Sequence, residues 1–210
     1  MRPMFHDRRE AAQKLAERLV KYTGKHPLVL GIPRGGVPMA KLIAAELGGE
    51  VDVVLVRKLR APGNPEFAIG SVDESGWIFV ADHAASTGAD ERYIEEEKQR
   101  QLEVLRQRRA QYSSDRPSID PSSRNVIVVD DGLATGSTMI AALHALRGRR
   151  PATLVCAVPV APPDTAAAVA ESCDELVCLE TPARFYAVGQ FYQHFPQVED
   201  DEVAAALKSA

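Results

Sequence analysis

The sequence predicts an α/β fold, a mainly parallel sheet with helices on both faces. Three observations lead there. Short apolar runs alternate along the chain with segments whose apolar residues recur at helical spacing. One run, Val126 to Val129, is four β-branched residues in succession, the composition of a strand buried on both faces. The chain has 210 residues, 45% hydrophobic and 26% charged, which suffices for one domain with a sizeable core.

The elements follow in order. Between Asp7 and Tyr22, Ala11, Ala12, Leu15, Ala16, Leu19 and Val20 form a helical stripe, and Gly24 stops it. Pro27–Ile32 reads as a buried strand, Val37–Leu47 as a helix, and Val51–Val56 as a second buried strand. Phe67–Val72 and Trp77–Ala81 are two short β runs, and Asp73–Gly76 between them is the turn of a hairpin. Asp90–Tyr112 is a long charged helix with a thin apolar line at Ile94, Leu102 and Leu105. Its Glu and Arg residues read either as a solvated face or as a subunit contact that would make a homodimer. After a Ser/Pro-rich loop and the Val126–Val129 strand come a helix at Ser137–Arg147, a strand at Thr153–Val158, a helix at Thr165–Ser172 and a strand at Glu175–Leu179. No repeat or low-complexity segment divides the chain, so a single domain over residues 1–210 is expected.

Composition removes several function classes. A formal net charge of −4 argues against binding nucleic acid by neutralising its backbone. Cys156, Cys173 and Cys178 lack zinc-ligand spacing and read as buried thiols, and the five histidines are scattered. Neither a signal-like core near the start nor a bilayer-length apolar stretch is present, which makes the cytoplasm the expected location and a membrane an unexpected partner.

The chemistry concentrates in Val126–Thr138, Val-Ile-Val-Val-Asp-Asp-Gly-Leu-Ala-Thr-Gly-Ser-Thr. Two carboxylates, Asp130 and Asp131, stand at the end of a parallel strand. Thr135–Thr138 then opens a helix, whose free backbone N–H groups and hydroxyls make an anion cradle. A ligand with neighbouring hydroxyls and a phosphate, such as a ribose 5-phosphate, would suit both. The bland alternative is a strand–turn–helix with Asp and Gly in capping and turn roles.

This segment resembles the phosphoribosyl-pyrophosphate (PRPP) signature of the type I phosphoribosyltransferases. The resemblance implies a Rossmann-like core with a small hood built from chain ends, including 182–210. It assigns Asp130 and Asp131 to the ribose 2′ and 3′ hydroxyls, and Ala134, Thr135, Gly136, Ser137 and Thr138 to the 5′-phosphate. The turn Gly31–Gly36 is similar to the family's pyrophosphate loop, which gives Arg34, Gly35 and Gly36 to PRPP and implies a cis peptide at Pro33–Arg34 or Arg34–Gly35. Arg57 and Lys58, with Arg60 near by, resemble a basic pair facing the leaving pyrophosphate at the start of a mobile loop, Leu59–Gly76.

The implied reaction is displacement of pyrophosphate from PRPP by a small nitrogenous acceptor. Mg²⁺ is the implied cofactor, met by Asp130 and Asp131 through water or the sugar. Ala134 stands where 6-oxopurine enzymes carry a purine-contacting Asp, so hypoxanthine and guanine are not expected acceptors. Glu66, then Glu74, are the candidate acid/base groups. Phe185 and Tyr186, in the aromatic stretch Pro182–Phe195, could stack on a base or pin the segment to the core. The rival reading is a catalytically inactive PRPP- or nucleotide-binding regulator, although the chain shows no basic helix-turn-helix segment.

Overall fold

The structure is a computed structural model and describes residues 3–113 and 117–208; the side chains of Glu66 and Ser113 also lie outside the described residues. Its centre is a five-stranded sheet in the order β2-β1-β6-β7-β8, comprising β1 (Leu28–Gly31), β2 (Glu50–Val53), β6 (Asn125–Val129), β7 (Thr153–Val160) and β8 (Glu175–Glu180). Every pairing in it is parallel. The strands are continuous apolar runs because both faces are covered. Val29, Val51, Ile127, Val155 and Val177 pack under α1 (Arg8–Arg18) and α2 (Gly36–Leu47), while Leu28, Val126, Val128, Leu154 and Cys156 pack under α4 (Ser137–Gly148) and α5 (Pro163–Ala170). Alternate residues of one strand therefore feed two separate cores.

A second sheet, antiparallel in the order β3-β4-β5, is formed by β3 (Val56–Ala61), β4 (Asn64–Asp73) and β5 (Ile78–Val80). Together with α3 (Glu91–Ser113) and α6 (Asp200–Lys208) it encloses a third core that includes Leu59, Ile69, Val72, Leu102, Leu105, Val203 and Leu207. Arg109 of α3 bolts this unit to the parallel sheet. Its guanidinium pairs with Asp52 of β2 at 2.9 Å, donates to the Val53 carbonyl at 3.1 Å and holds Glu74 beyond the end of β4. Asp52 is 1% exposed, so the arginine supplies charge that water cannot.

Four expectations change. Val51–Val56 is two strands, because the chain leaves the parallel sheet at Val54; the apolar run persists since Val54 enters one core and Val53 and Leu55 another. Leu59–Gly76 is largely antiparallel strand rather than a loop, with register shifts about Arg60 and with Pro62 and Gly63 confined to the hairpin turn where Gly63 has φ +70. α3 is not simply a solvated face, because Glu97 and Gln101 are buried and Arg109 faces inward. The thiols divide, Cys156 being buried and Cys173 and Cys178 only partly so. α6 is an element beyond those expected, nine residues whose acidic first turn precedes a short apolar stripe. Among the described residues no helix is long and apolar enough to cross a membrane.

Candidate active site

The chain enters the parallel sheet at β1, turns outward to β2, then returns to pair β6 on the other side of β1. Strand order reverses between β1 and β6, so the loops leaving these two strands diverge and open a crevice at their C-terminal ends. The loop after β1 is Ile32–Gly35; the loop after β6 begins with Asp130 and Asp131. Ile32 N–H donates to the Val129 carbonyl at 2.9 Å, which fixes the two loops side by side. The Pro33–Arg34 peptide is cis, at one of the two positions expected.

The glycines make this approach feasible. A Cβ at Gly36 would strike the Val129 carbonyl, and a Cβ at Gly35 would fall on the Asp131 carboxylate. Asp131 N–H donates to Asp130 Oδ1 at 2.8 Å. Burial, then the charge of Asp131, pushes the Asp130 carboxyl well above the usual carboxylate range. Burial also raises Asp131, against the pull of Arg8. The pair is thus a poorly solvated acidic spot that would gain from hydroxyl donors or a cation.

Arg8, at the start of α1, is a site residue that no motif in the sequence marks. Its Nη2 lies 2.7 Å and its Nε 2.9 Å from Asp131 Oδ2, its Nη1 donates to the Pro196 carbonyl at 2.6 Å, and its guanidinium sits 3.8 Å from the centroid of the Phe195 ring. Tyr192 Oη donates to the Asp131 carbonyl at 2.6 Å. Segments from both ends of the chain therefore converge on Asp131, joined to each other by Met4 and Phe5 N–H groups on the Phe191 carbonyl and by Gln193 N–H on the Phe5 carbonyl.

Past Gly132 the backbone turns into α4. Gly136 is the N-cap at φ +70 and brings no side chain to the helix end; Ser137 N–H reaches Thr135 Oγ1 at 3.5 Å, and the N–H groups that follow can serve another acceptor. Thr135 and Ser137 hydroxyls lie 3.1 Å apart, Ala134 and Thr138 are exposed, and Thr165 Oγ1 donates to the Ala134 carbonyl at 2.9 Å, bracing the loop from α5.

A cleft of about 320 Å³ extends from this loop to the second sheet. Its lining includes Ile32, Pro33 and Thr138 together with Arg57, Lys58 and Arg60 of β3 and Arg108 of α3, while Asp130, Asp131, Thr135 and Ser137 stand outside that lining. Arg57 is aimed by Gln101 Oε1, 3.0 Å from its Nε, and Gln101 Nε2 in turn donates to Glu97 at 2.9 Å. Burial, followed by the charges of Arg108 and Arg60, lowers Arg57 from the usual arginine value.

Other expected groups stand elsewhere. Arg34 leans to Glu199 at 3.4 Å. Glu74 is committed to Arg109 and lines a different cavity, which corrects its candidacy as an acid/base group. The side chain of Glu66 lies outside the described residues. Phe185 is half-buried against Phe191, with centroids 5.0 Å apart, and Tyr186 is 88% exposed; neither lines the cleft. Among the described residues no three His, Cys, Asp or Glu side chains converge as a metal cage.

Comparison with known proteins agrees with this geometry. The family model described as "Phosphoribosyl transferase domain" matches residues 3–193. A Mycobacterium tuberculosis protein, provisionally named a phosphoribosyl transferase, is 42% identical over 208 residues, 99% of this chain and 47% of the relative. The chain thus spans about half the length of the curated relatives it matches. The crystal structure of a Thermus thermophilus protein covers 100% of this chain and 99% of its own, with 46% identity and a TM-score of 0.90. A purine phosphoribosyltransferase of Pyrococcus horikoshii is more distant, at 18% identity and a TM-score of 0.45 over 80% of this chain and 78% of its own.

Proposed function

The chain belongs to the phosphoribosyl transferase domain family, and on that premise we propose that it moves the 5-phosphoribosyl group of PRPP to a small nitrogenous acceptor, releasing pyrophosphate. The observation that carries this reading is the placement, at one topological switch point, of an acidic pair beside a helix N-terminus whose N-cap glycine offers no side chain, with a cationic cleft adjoining at Ile32, Pro33 and Thr138. Thr135–Thr138 take the 5′-phosphate on α4 amides and hydroxyls. Asp130 and Asp131 accept the ribose hydroxyls, whose donation replaces the water these carboxylates lack. Arg57 and Lys58 face the pyrophosphate. Negative charge on that group grows as the C1–O bond breaks, so fixed cations there bind the transition state more strongly than the ground state.

Two carboxylates, one of them engaged by Arg8, suit Mg²⁺ only as an ion carried by the substrate. Such an ion would neutralise the pyrophosphate, with Asp130 and Asp131 reaching it through water or the sugar hydroxyls. Ala134 offers no side-chain acceptor to a 6-oxopurine. A base without a 6-oxo group, or a non-purine nitrogen, is therefore the acceptor we favour, and the cytoplasm the compartment.

The deciding experiment incubates PRPP and Mg²⁺ with a panel of bases and amines and reads pyrophosphate release, alongside direct PRPP binding. We expect one acceptor to release pyrophosphate stoichiometrically, hypoxanthine and guanine to be inert, and Asp131→Asn to weaken PRPP binding at least tenfold while the protein stays folded. PRPP bound without release for any acceptor would turn the reading to a binding role; no PRPP binding at all would end it.

A further inference from the structure

We infer that Arg108 of α3 is a further binding residue for the pyrophosphoryl group, closing with Arg57, Lys58 and Arg60 a clamp between α3 and the β3–β4 hairpin. The inference rests on the phosphoribosyl-transfer reading for the identity of the anion, and on the geometry of the cleft for the existence of the clamp.

The arginines and lysine of α3 set Arg108 apart. Arg92 pairs with Glu96, Lys98 with Glu95, Arg100 with Glu97, Arg106 with Glu103, and Arg109 with Asp52 and Glu74. Arg108 makes no ion pair among the described residues, nor do Arg57, Lys58 and Arg60, although all four line the same cleft. Lys58, Arg60 and Arg108 are exposed and Arg57 is partly buried, and four like charges gathered along one cleft repel one another, so an anion bound among them would relieve that repulsion.

Helix geometry explains how one element does this. Gln101, Leu105 and Arg108 are spaced four and three residues apart and so share a face of α3. Gln101 aims Arg57, Leu105 is 1% exposed and forms part of the cleft wall, and Arg108 reaches the opening. Tyr112, a turn further, lies within electrostatic reach of both Arg108 and Arg34. Arg108 thus stands on the α3 side of the cleft, close enough for its charge to act on Arg57 of β3. In the transfer step the C1–O electron pair leaves with the pyrophosphate and the acceptor nitrogen lone pair forms the new C1–N bond, its proton passing to solvent. Arg108 would meet the departing group on the side opposite β3.

Calorimetric titration of inorganic pyrophosphate, PRPP and ribose 5-phosphate, each with Mg²⁺ at fixed ionic strength, tests the clamp without knowledge of the acceptor. Arg108→Gln should lose about tenfold in affinity for pyrophosphate and PRPP and none for ribose 5-phosphate. Arg108→Lys should recover most of the loss, and Arg106→Gln, altering a paired arginine on the same helix, should change nothing. Wild-type affinity for pyrophosphate in Arg108→Gln, an equal loss for ribose 5-phosphate, or a wild type that does not bind pyrophosphate would each overturn the proposal. Pyrophosphate binding that depends on Arg108, with neither PRPP nor ribose 5-phosphate bound, would instead uphold the clamp and sink the phosphoribosyl reading.

Discussion

The two walls of the cleft are built in opposite ways. One wall, the loops after β1 and β6, is made of two short segments each contiguous in sequence, of which Ile32, Pro33 and Thr138 line the cleft, and beside it stand backbone donors, glycines and a carboxylate pair whose charge Arg8 partly balances. The other, β3 with α3, presents side-chain cations from two elements, none of them in an ion pair among the described residues although buried Glu97 acts on Arg57 electrostatically. The first wall is ready to receive donors and a phosphate because its backbone is fixed by two central parallel strands. The second depends on tertiary packing, through Gln101, Glu97 and the Arg109–Asp52–Glu74 bolt, to hold its cations in place.

Breaking the first wall should have the largest effect on ligand binding. Gly35→Ala puts a methyl group where Asp131 Oδ2 lies. PRPP affinity should fall at least a hundredfold, roughly 3 kcal/mol, while the parallel sheet survives. Calorimetry together with circular dichroism checks this, and retention of wild-type affinity would show that Asp131 does not need its present position. Breaking the second wall should instead appear as lost stability. Arg109→Leu takes the guanidinium from Asp52 and Glu74 and should cost about 3–5 kcal/mol in urea unfolding. A cost below about 1 kcal/mol would mean that the hairpin unit is anchored mainly by its apolar core.

A smaller effect sharpens the comparison at the seam between the walls. His144 of α4 packs its ring against Phe79 of β5, tilted by 51° with centroids 4.1 Å apart, and its Nδ1 is buried with no hydrogen-bond partner among the described residues. Burial lowers its pKa below the ordinary value of 6.5. The unfolded chain therefore binds the proton more readily than the folded one, and stability should fall as pH drops through about 6.5, levelling off below the lower folded value. His144→Phe should flatten that slope in denaturation curves between about pH 7 and 5. An unchanged slope would assign the pH response to other groups.

The contrast between the walls also explains what is legible in the sequence. The parallel sheet and its helices follow from local periodicity, and the acidic pair and α4 N-terminus follow from thirteen contiguous residues, so both are readable. The course of Leu59–Gly76 is not, because Pro and Gly mark a hairpin turn and a loop alike until pairing partners are known. Arg108 hides in a helix crowded with Arg and Glu, where only the third dimension separates the unpaired cation from its paired neighbours. Arg8 leaves no signal beyond an arginine near a helix start; its meaning comes from Asp131 and Phe195, distant in sequence. The aromatics are readable as a group but not by role. Phe191 and Tyr192 are buried and secure the chain ends, while Tyr186 faces solvent.

The overlap of Gly35 with the Asp131 carboxylate reaches into heredity. Two codons for loops that follow different strands encode the contents of one small volume, so a side chain cannot be added at one without a change at the other. A side chain at position 35 becomes tolerable only in a lineage that has already shortened or redirected residue 131, and with it surrendered the acid. Positions 35 and 131 are therefore expected to vary together, because a Cβ at 35 would fall on the Asp131 carboxylate.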